Sequence, residues 1–408
     1  MAKKTIGTVD VRSKRVLIRV DFNVPLEDGP TGSQITDDRR IREALPTIKS
    51  VIDRGGRCVL MSHLGRPEGT GYQAEFSLKP AADRLAQLLG KPVGFPSQDC
   101  TDAMAAAAVA AMNDGDVLLL ENVRFHKGEK KGEETHCAKL AALGDIYVND
   151  AFGTSHRAEG SMVGVPKAMA AGGGKPRVMG FLVEKELKYL QGALANPAKP
   201  FIVVLGGAKV SDKMGCIENL LPKADAIIVG GAMAYTFLKA LGKRVGDSRV
   251  EEDRIPDAKK IIDAAARSKC DLLLPVDHVC STQFSETSGD IEVFDEHVKD
   301  GFKGLDIGPK TQLLFALRLS KAKTIVWNGP MGVFEFAPFA TGTQQVARAI
   351  ANATKGGAVS IVGGGDSAAA VEKFGLASAM SHVSTGGGAS LEMLEGKRFE
   401  SVDLLDEA

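Results

Sequence analysis

The chain contains Phe201-Ile-Val-Val-Leu-Gly-Gly-Ala-Lys-Val-Ser-Asp-Lys213, and this stretch decides the fold. Its apolar run predicts a buried strand that leads through Gly206-Gly207 into a helix. Comparable apolar runs recur along the chain: Val16–Val20, Cys58–Met61, Val117–Leu120, Ile146–Val148, Ala226–Val229, Leu272–Val276, Thr324–Trp327, Ala358–Val362 and His382–Ser384. Helical patterns lie between these runs, which predicts parallel sheets covered by helices on both faces.

Composition indicates an ordinary globular protein with more than one domain. The 408 residues exceed what one core usually serves, so two domains are expected. Hydrophobic residues make up 44% and charged residues 25% of the chain. The 51 basic residues balance the 51 acidic ones, so net charge favours neither a nucleic acid nor an anionic membrane as partner.

The termini and cysteines favour a cytoplasmic location. The N-terminal residues lack the apolar segment of a secretory signal. No apolar run approaches the about 20 residues that a bilayer-spanning helix needs. The six cysteines are scattered and form no CxxC pair: Cys58, Cys100, Cys137, Cys216, Cys270 and Cys280. We expect them to be buried, reduced thiols rather than disulfides or metal ligands.

The predicted fold class is α/β, with two Rossmann-like lobes, each a parallel sheet flanked by helices, joined by an interdomain helix. We place an N-terminal domain at residues 1–178, a linker helix at 179–195 and a C-terminal domain at 196–391. The glycine-rich segment Gly172–Pro176 is predicted to be a loop. Further helices are expected at 40–52, with a kink at Pro46, and at 78–89, 101–112 and 251–268.

Arginines cluster after the early strands. Arg66, Arg124 and Arg157 each follow a strand end within a few residues, and ligands of parallel sheets bind beyond those ends. Guanidinium groups gathered in one crevice repel one another unless an anion joins them, and they bind phosphate or carboxylate in a bidentate manner. We therefore predict a site for a multiply charged anion. By contrast, we interpret three other arginines as solvated surface charges: Arg19, Arg39 and Arg42.

Three further residues of the first half are candidates for the same site. His63 stands between a strand end and Arg66, and we interpret it as a donor to the anion. Asp21 and Asn23 could accept hydrogen bonds from substrate hydroxyls, or they could serve turn chemistry before Pro25. The residues alone leave these two interpretations of Asp21 and Asn23 open.

The later strands end in glycines. Gly206–Lys213 and Gly363-Gly-Gly-Asp-Ser367 both follow a strand and lead into a helix. Glycines allow backbone amides to approach a phosphate, and a helix N-terminus favours the negative charge. Lys209 and Lys213 would lie beside that phosphate as mobile charges, and Asp366 is placed to reach a phosphate-bound Mg²⁺.

Well-known nucleotide signatures are missing from the sequence. It contains no GxxxxGK[ST] motif, and no glycine-rich loop with the HRD and DFG set of protein kinases. A two-domain nicotinamide dehydrogenase would need a GxGxxG turn with an acidic residue about 20 positions later, and neither is found. A periplasmic-type anion-binding protein would need a secretory signal. Both alternatives are therefore disfavoured.

The motifs together resemble those of phosphoglycerate kinases. The matching stretches cover nearly the whole chain: Arg19-Val-Asp-Phe-Asn-Val-Pro25, Met61-Ser-His-Leu-Gly-Arg-Pro67, Leu120-Glu-Asn-Val-Arg-Phe-His126, Asn149-Asp-Ala-Phe-Gly-Thr-Ser-His-Arg157, Leu205–Lys213, Trp327-Asn-Gly-Pro-Met-Gly-Val-Phe-Glu335, Gly363–Ser367 and Ser384-Thr-Gly-Gly-Gly-Ala-Ser390. The resemblance implies phosphoryl transfer from 1,3-bisphosphoglycerate to Mg-ADP, giving 3-phosphoglycerate and ATP in glycolysis. It also implies a monomer that acts by domain closure, with the tail 392–408 packed on the first lobe.

The resemblance assigns roles to individual residues. It implies that the N-terminal lobe holds the glycerate through Asp21, Asn23, Arg40, His63, Arg66, Arg124 and Arg157. It implies a nucleotide site in the C-terminal lobe at Gly207, Lys213, Gly231, Asn328, Pro330, Glu335, Gly363, Gly364, Gly365, Asp366 and Ser367, with Glu335 on the ribose and Asp366 on the metal. The groups expected to stabilise the transferring phosphoryl are Arg40, Lys209 and the amides near Gly364 and Gly388.

The sequence departs from the family pattern in a few places. The pair Arg39-Arg40 leaves the register of the catalytic arginine open by one, and Ile41 favours Arg40. Ala170–Val178 resembles an insertion, and Ser367 stands where threonine is common. The segment Leu394–Ser401 differs from the usual ending, so the docking of the tail is open.

Overall fold

The chain forms two compact units. A computed structural model describes residues 2–29 and 32–408. The first unit comprises Met1–Leu187 with Arg398–Ala408, and the second comprises Lys188–Lys397. The C-terminal residues therefore belong to the same unit as the N-terminus.

The first unit is built on parallel strands with helices between them. Its strands are β1 (Arg15–Val20), β2 (Leu26–Gly29), β3 (Gly32–Ile35), β4 (Arg57–Met61), β5 (Val117–Leu119), β6 (Ile146–Asp150) and β7 (Arg177–Met179). Its helices are α1 (Arg39–Ile52), α2 (Lys79–Leu89), α3 (Ala103–Ala110), α4 (Lys127–Lys131), α5 (Glu134–Ala142) and α6 (Val165–Ala171). Helix α7 (Phe181–Ala195) contains the boundary between the units.

The sheet of the first unit has the order β5-β4-β1-β6-β7, and all its pairs are parallel. The chain builds outward from β1 to β5 on one side and then crosses to β6 on the other. Val20 at the end of β1 is in register with Asp150 at the end of β6. A ligand crevice is expected where the strand order reverses in this way.

The second unit repeats this plan and adds a smaller sheet. Its strands are β8 (Phe201–Leu205), β9 (Ala226–Val229), β10 (Asp271–Leu273), β11 (His278–Ser281), β12 (Ile291–Phe294), β13 (Lys303–Ile307), β14 (Thr324–Asn328), β15 (Val359–Gly363) and β16 (His382–Val383). Its further helices are α8 (Met214–Leu220), α9 (Ala234–Ala240), α10 (Ile255–Ala266), α11 (Pro309–Leu319), α12 (Thr341–Lys355), α13 (Gly365–Lys373) and α14 (Gly387–Leu394). Helix α15 (Glu400–Asp403) belongs to the first unit.

The main sheet of the second unit has the order β10-β9-β8-β14-β15-β16, again with parallel pairing. Its strand order reverses between β8 and β14, where Leu205 is in register with Asn328. The glycine-rich loops that follow β8 and β14 therefore begin side by side.

The predicted parallel strands are confirmed by the pairing within both main sheets, and the central strands are buried on both faces. In β1 every residue after Arg15 is buried, and all five residues of β8 and β14 are buried. The apolar run Leu272–Val276 forms a shorter strand than predicted, since β10 ends at Leu273. Helix α1 continues through Pro46, which lies inside it.

Antiparallel structure was missed by the sequence prediction. Strands β12, β11 and β13 form an antiparallel sheet of three strands, and β2 pairs with β3 in a hairpin. Residues of β12 are largely exposed, so no apolar run marks that strand. The predicted loop around Gly172–Pro176 is flanked by α6 and by β7, whose three residues are too few for a periodic signal.

The C-terminal tail is bound to the first unit. The N–H of Lys4 donates to Asp406 O at 2.9 Å, and the Arg177 guanidinium forms an ion pair with the Asp406 carboxylate. Ser401 Oγ donates to Ser155 O at 2.6 Å. These bonds hold the tail despite its unusual sequence.

All six cysteines are free and buried. Burial raises the pKa of the Cys58 and Cys100 thiols, which therefore stay protonated. Among the residues that the structure describes, no helix is both long enough and apolar enough to cross a bilayer.

Candidate active site

The residue after the end of β1 forms an ion pair that distinguishes Arg40 from Arg39. Arg40, at the start of α1, places its Nη1 at 2.7 Å from Asp21 Oδ2. Arg39 instead turns to Asp37, with which it forms an exposed ion pair at 2.6 Å. Arg40 is therefore the arginine that faces the strand ends, and Asp21 holds it there.

Arg19 was wrongly interpreted as a surface charge. Its side chain is fully buried, because β1 lies at the centre of the sheet. Arg19 Nε donates to Ser161 Oγ at 2.8 Å, and Ser161 in turn donates from its N–H to the buried carboxylate of Glu129 at 2.9 Å. Paired and hydrogen-bonded in this way, a buried guanidinium is tolerated. The apolar run around Arg19 gave no sign of these distant partners.

His63 is neutral in this setting. Its Nδ1 lies 3.2 Å from Arg19 Nη2, and a guanidinium can only donate, so Nδ1 accepts and the proton resides on Nε2. Burial lowers the pKa of His63 well below its usual value, and Arg19, Arg124, Arg157 and Arg40 lower it further. Of these arginines, Arg19 contacts the ring directly, and Arg40 is linked to it through Asp21, whose Oδ1 lies 3.9 Å from His63 Nδ1. His63 can thus donate one N–H to an anion without adding charge.

Arg124 and Arg157 meet at an acidic residue that the sequence analysis missed. Arg124 donates from Nη2 to Glu159 Oε1, and Arg157 Nη1 lies 3.8 Å from the same oxygen. Arg124 Nη1 also donates to Gly65 O at 2.9 Å. Burial lowers the pKa of Arg157, and the charges of Arg124 and Arg19 act in the same direction. Of the three arginines predicted to converge, the structure brings Arg124 and Arg157 together, with a carboxylate between them.

Asn23 and Arg66 occupy different positions in this region. Asn23 Oδ1 accepts from the N–H of Gly65 at 2.8 Å, so its carbonyl holds the loop after β4. Asp21 Oδ1 accepts from the N–H of Asn23 at 3.3 Å, which is the turn chemistry considered above. Arg66 is exposed two residues after Leu64. Its guanidinium is thus accessible to solvent.

In the second unit, the glycine loops after β8, β9 and β14 interlock. The N–H groups of Gly206 and Gly207 donate to Asn328 O and Pro330 O at 3.0 Å, and Gly231 donates to Met331 O at 3.0 Å. A Cβ on Gly206 would lie 2.0 Å from Pro330 O. These amides therefore bind other loops. The expectation that the bare backbone of Gly206–Gly207 offers them to a phosphate is not met here.

Lys213 and Asn328 form a polar pair at the switch point. Lys213 donates from Nζ to Asn328 Oδ1, while Asn328 Nδ2 is buried with no hydrogen-bond partner. Burial lowers the pKa of Lys213. Lys209 is exposed in the preceding loop. Because buried polar groups are normally paired, the unpaired Asn328 Nδ2 is available as a donor beside this lysine.

Two glycine-rich helix N-termini lie together beyond β15 and β16. Gly364 has φ +92° and precedes α13, and Gly386 precedes α14; neither helix has a side-chain cap. A Cβ on Gly387 would lie 3.2 Å from the amide nitrogen of Gly365. The first amides of a helix lack intrahelical partners and favour an anion. Gly388, exposed in the first turn of α14, shares this location.

Ser367, predicted to line the nucleotide site, bonds another loop of its own unit. Its side chain is fully buried, and its Oγ accepts from the N–H of Gly329 at 2.5 Å. The hydroxyl therefore ties α13 to the loop after β14.

A cavity of about 440 Å³ lies beside the interlocked loops. It combines apolar residues with residues of the predicted nucleotide site, and its lining includes Gly207, Gly231, Pro330, Glu335 and Asp366 together with Tyr235, Leu305, Met331 and Val333. It also contains Asp306, whose pKa burial raises to about 7. The sequence analysis missed the apolar wall, because it comes from separated segments that carry no motif.

Asp366 is a suitable ligand for Mg²⁺. It is exposed at the start of α13, it lines the cavity, and its charge acts on Lys213. Carboxylate oxygens are preferred by Mg²⁺, which is usually bound by one or two of them together with phosphate oxygens. The chemistry of this position therefore fits a metal that arrives with a nucleotide.

A second group of possible ligands has another explanation. In the described part of the chain, Asp99, Cys100 and His126 bring ligand atoms within 4.8 Å of one another. His126 Nε2 already lies 2.9 Å from Asp99 Oδ1, and the N–H of Thr101 donates to the same oxygen at 2.7 Å. These bonds account for the cluster as loop structure.

The fold and the two groups of residues define a class of protein: a two-unit α/β protein with an arginine cluster in the first unit and a cavity of about 440 Å³ beside the glycine-rich loops of the second. Comparison with known proteins narrows the class. The phosphoglycerate kinase family model matches residues 6–397. The chain therefore belongs to the phosphoglycerate kinase family, kinases that transfer phosphate to or from a carboxyl group, and it has the glycolytic role of that family.

Individual phosphoglycerate kinases match this chain over nearly their full lengths. A phosphoglycerate kinase of Rhodopirellula baltica is 55% identical over 410 residues, covering 100% of both chains. A protein of Trypanosoma congolense named cytosolic phosphoglycerate kinase is 49% identical over 425 residues, covering 99% of this chain and 98% of its own. The solved phosphoglycerate kinase of Coxiella burnetii superposes with a TM-score of 0.87 at 41% identity, covering 98% of each chain. The dehydrogenase and binding-protein alternatives are thereby set aside.

Proposed function

We propose that the chain catalyses reversible, Mg²⁺-dependent phosphoryl transfer from 1,3-bisphosphoglycerate to ADP, giving 3-phosphoglycerate and ATP. We assign the glycerate to the first unit and the nucleotide to the second. The observation that carries this assignment is the arrangement of cations in the first unit: Asp21 lies 2.7 Å from Arg40 and 3.9 Å from the buried His63, while Arg124 and Arg157 meet at Glu159. A ligand with a carboxylate and a phosphate supplies the negative charge that such a cluster lacks.

The first unit would bind the glycerate through separate donors. Arg124 and Arg157 suit a phosphate or carboxylate, and the N–H on His63 Nε2 provides a neutral donor. Asp21 would orient Arg40, to which it is bonded at 2.7 Å. Arg66 and Asn23 complete the proposed set at its edge.

The second unit would bind the nucleotide along the row of glycine-rich loops. The nucleoside would occupy the cavity of about 440 Å³, with Glu335 available to a ribose hydroxyl. Gly207, Gly231 and Pro330 would form its backbone wall. The polar row at Lys213, Asn328 and Gly363–Asp366 would then receive the phosphates, with Asn328 Nδ2 as an available donor.

The mechanism would depend on positioning and on charge stabilisation. The transferring phosphoryl group passes through a loose transition state with charge on its equatorial oxygens. Arg40, Lys209 and the N-termini of α13 and α14 would share that charge. No general base is required, because the acceptor carboxylate of 3-phosphoglycerate is already ionised. Since donor and acceptor are assigned to different units, we also propose that transfer requires domain closure, which excludes water.

Asp366 is the proposed protein ligand of Mg²⁺. When bound, the metal would neutralise charge on the nucleotide phosphates. We further propose that the protein acts as a monomer in the cytoplasm on small-molecule substrates, without nucleic-acid or membrane partners. The cytosolic relative from Trypanosoma congolense supports that location.

Calorimetry on Arg66→Ala tests the assignment of the ligands to the units. Wild-type protein should bind 3-phosphoglycerate and Mg-ADP, and a coupled assay should show ATP-dependent consumption of 3-phosphoglycerate. The variant should bind 3-phosphoglycerate more weakly and Mg-ADP as the wild type does. Unchanged 3-phosphoglycerate affinity with weakened ADP affinity would mean that the assignment is reversed.

A further inference from the structure

Glu159 places a negative charge inside the cluster of cations that should attract an anion. The residue is 8% exposed and directly precedes the helical turn Gly160–Gly164. Its Oε1 accepts from Arg124 Nη2 and lies 3.8 Å from Arg157 Nη1. The same oxygen thus occupies a position between the two guanidinium groups where an oxygen of a bound ligand would be expected.

Two buried polar atoms of the Arg124–Glu159 pair have no hydrogen-bond partner. Glu159 Oε2 and Arg124 Nε are both buried without a hydrogen-bond partner. A purely structural ion pair in a buried setting usually satisfies its remaining atoms, because each unpaired one costs free energy. The Arg124–Glu159 pair therefore leaves one buried polar atom of each partner unsatisfied.

The other acid of the cluster, Asp21, behaves differently. Asp21 bonds Arg40 through one oxygen and the N–H of Asn23 through the other, so both of its oxygens have partners. Glu159 places one oxygen between two guanidinium groups, as a bound anion would. Asp21 instead holds the single guanidinium of Arg40 in place. The two acids can therefore be separated by experiment.

We propose that Glu159 acts as an internal competitor for the substrate. Its carboxylate occupies Arg124 and Arg157 until a multiply charged substrate shares these arginines with it or displaces it from them. This inference rests on the proposed binding of 3-phosphoglycerate by the first unit. Glu159 holds the arginines together without a ligand, and it lowers their affinity for any anion. Singly charged anions gain too little from the site to overcome it, so Glu159 contributes to specificity.

The decisive variant is Glu159→Gln, which removes the charge and keeps an oxygen acceptor for Arg124. Isothermal titration calorimetry at fixed ionic strength should show 3-phosphoglycerate binding tightened by about tenfold, as expected when a nearby like charge is removed from a partly solvated anion site. Formate, a singly charged anion, should compete with 3-phosphoglycerate more strongly in this variant than in the wild type, and Mg-ADP affinity should be unchanged. The matched control is Glu134→Gln, which changes net charge equally on the exposed surface of α5.

The alternatives give different results. If Glu159 mainly orients the arginines, the glutamine variant will bind 3-phosphoglycerate equally well or more weakly, and the competitor role is then wrong. If the wild type binds no 3-phosphoglycerate, the proposed function itself fails, which is a separate outcome. Thermal unfolding verifies that the variant is folded. Should it not fold, Glu159→Ala provides a second neutral side chain with the same expected direction.

Discussion

At the scale of single residues, position within the fold determines the burial and the partners of an arginine more than its residue type does. Arg19 and Arg39 are the same amino acid on the same unit, yet one is fully buried against Ser161 and His63 while the other pairs with Asp37 at the surface. Burial of charge is tolerated only with partners, and those partners come from distant segments. A residue-by-residue interpretation therefore identified His63 and Arg124 through their motifs and misjudged Arg19, which lies within a strand.

Lys209→Ala tests charge stabilisation by a single mobile cation. Lys209 is exposed in the loop between β8 and α8, so its removal should leave the fold intact. We expect kcat to fall by about 10²–10³ fold, the effect of losing one donor to developing charge. Steady-state kinetics measures this, with Lys259→Ala on the exposed face of α10 as control. A kcat close to that of the wild type would remove Lys209 from the mechanism.

At the scale of elements, loops and helix ends are positioned by close backbone contacts and by buried polar caps. Gly206 lies so near Pro330 that no side chain fits between the loops. Asp150, at the end of β6, accepts from the N–H of Leu182 at 2.9 Å and so holds the start of α7. These contacts place the site residues, although they carry no chemistry themselves.

A glycine comparison tests the interlocked loops. Gly206→Ala would bring its Cβ within 2.0 Å of Pro330 O, whereas a Cβ on Gly192, inside α7, meets nothing within 4 Å. We expect the first variant to lose more than about 3 kcal/mol of stability or fail to fold. The second should gain roughly 0.5–1 kcal/mol, since alanine favours helix. Differential scanning calorimetry compares the two. Equal unfolding temperatures would contradict the proposed packing.

Asp150 should make stability depend on pH. Burial raises the pKa of its carboxyl to about 7, above the value of an unfolded aspartate. The folded state then binds more protons between about pH 4 and pH 7, so this contribution to stability is lost as pH rises through that window. Asp150→Asn keeps an acceptor for Leu182 and cannot ionise.

Urea unfolding at pH 5 and pH 8 measures the effect of Asp150. The wild type should lose at least about 1 kcal/mol more than the asparagine variant between these pH values. A pH dependence that is identical in both proteins would show that Asp150 does not titrate in this range.

At the scale of the whole molecule, the chain ends return to one unit. Arg398–Ala408 belongs to the unit that contains the N-terminus, and Asp406 bonds both Lys4 and Arg177. Phe399 and Leu405 are buried there. The first unit therefore cannot form its complete core until the last residues of the chain have been made.

Deletion of residues 398–408 tests this dependence. Each buried apolar side chain lost should cost about 1.5–3 kcal/mol, so the first unit should unfold at lower temperature. Binding of Mg-ADP, assigned to the second unit, should be retained at a temperature where both units are folded. Calorimetric unfolding follows the change, with Glu407→Gln at the exposed end as control. An unchanged unfolding profile would show that the tail contributes little to the first unit.

The sequence by itself determined the parallel strands, the division into an arginine-rich and a glycine-rich half, and the family. These features are local: apolar runs, strand-end loops and motifs of adjacent residues are visible without knowing what lies beside them. Tertiary structure alone decided which amides are occupied, why Arg19 is buried and where Glu159 meets Arg124. Those facts depend on contacts between residues far apart in the chain, because burial and hydrogen-bond pairing exist only once the segments are packed.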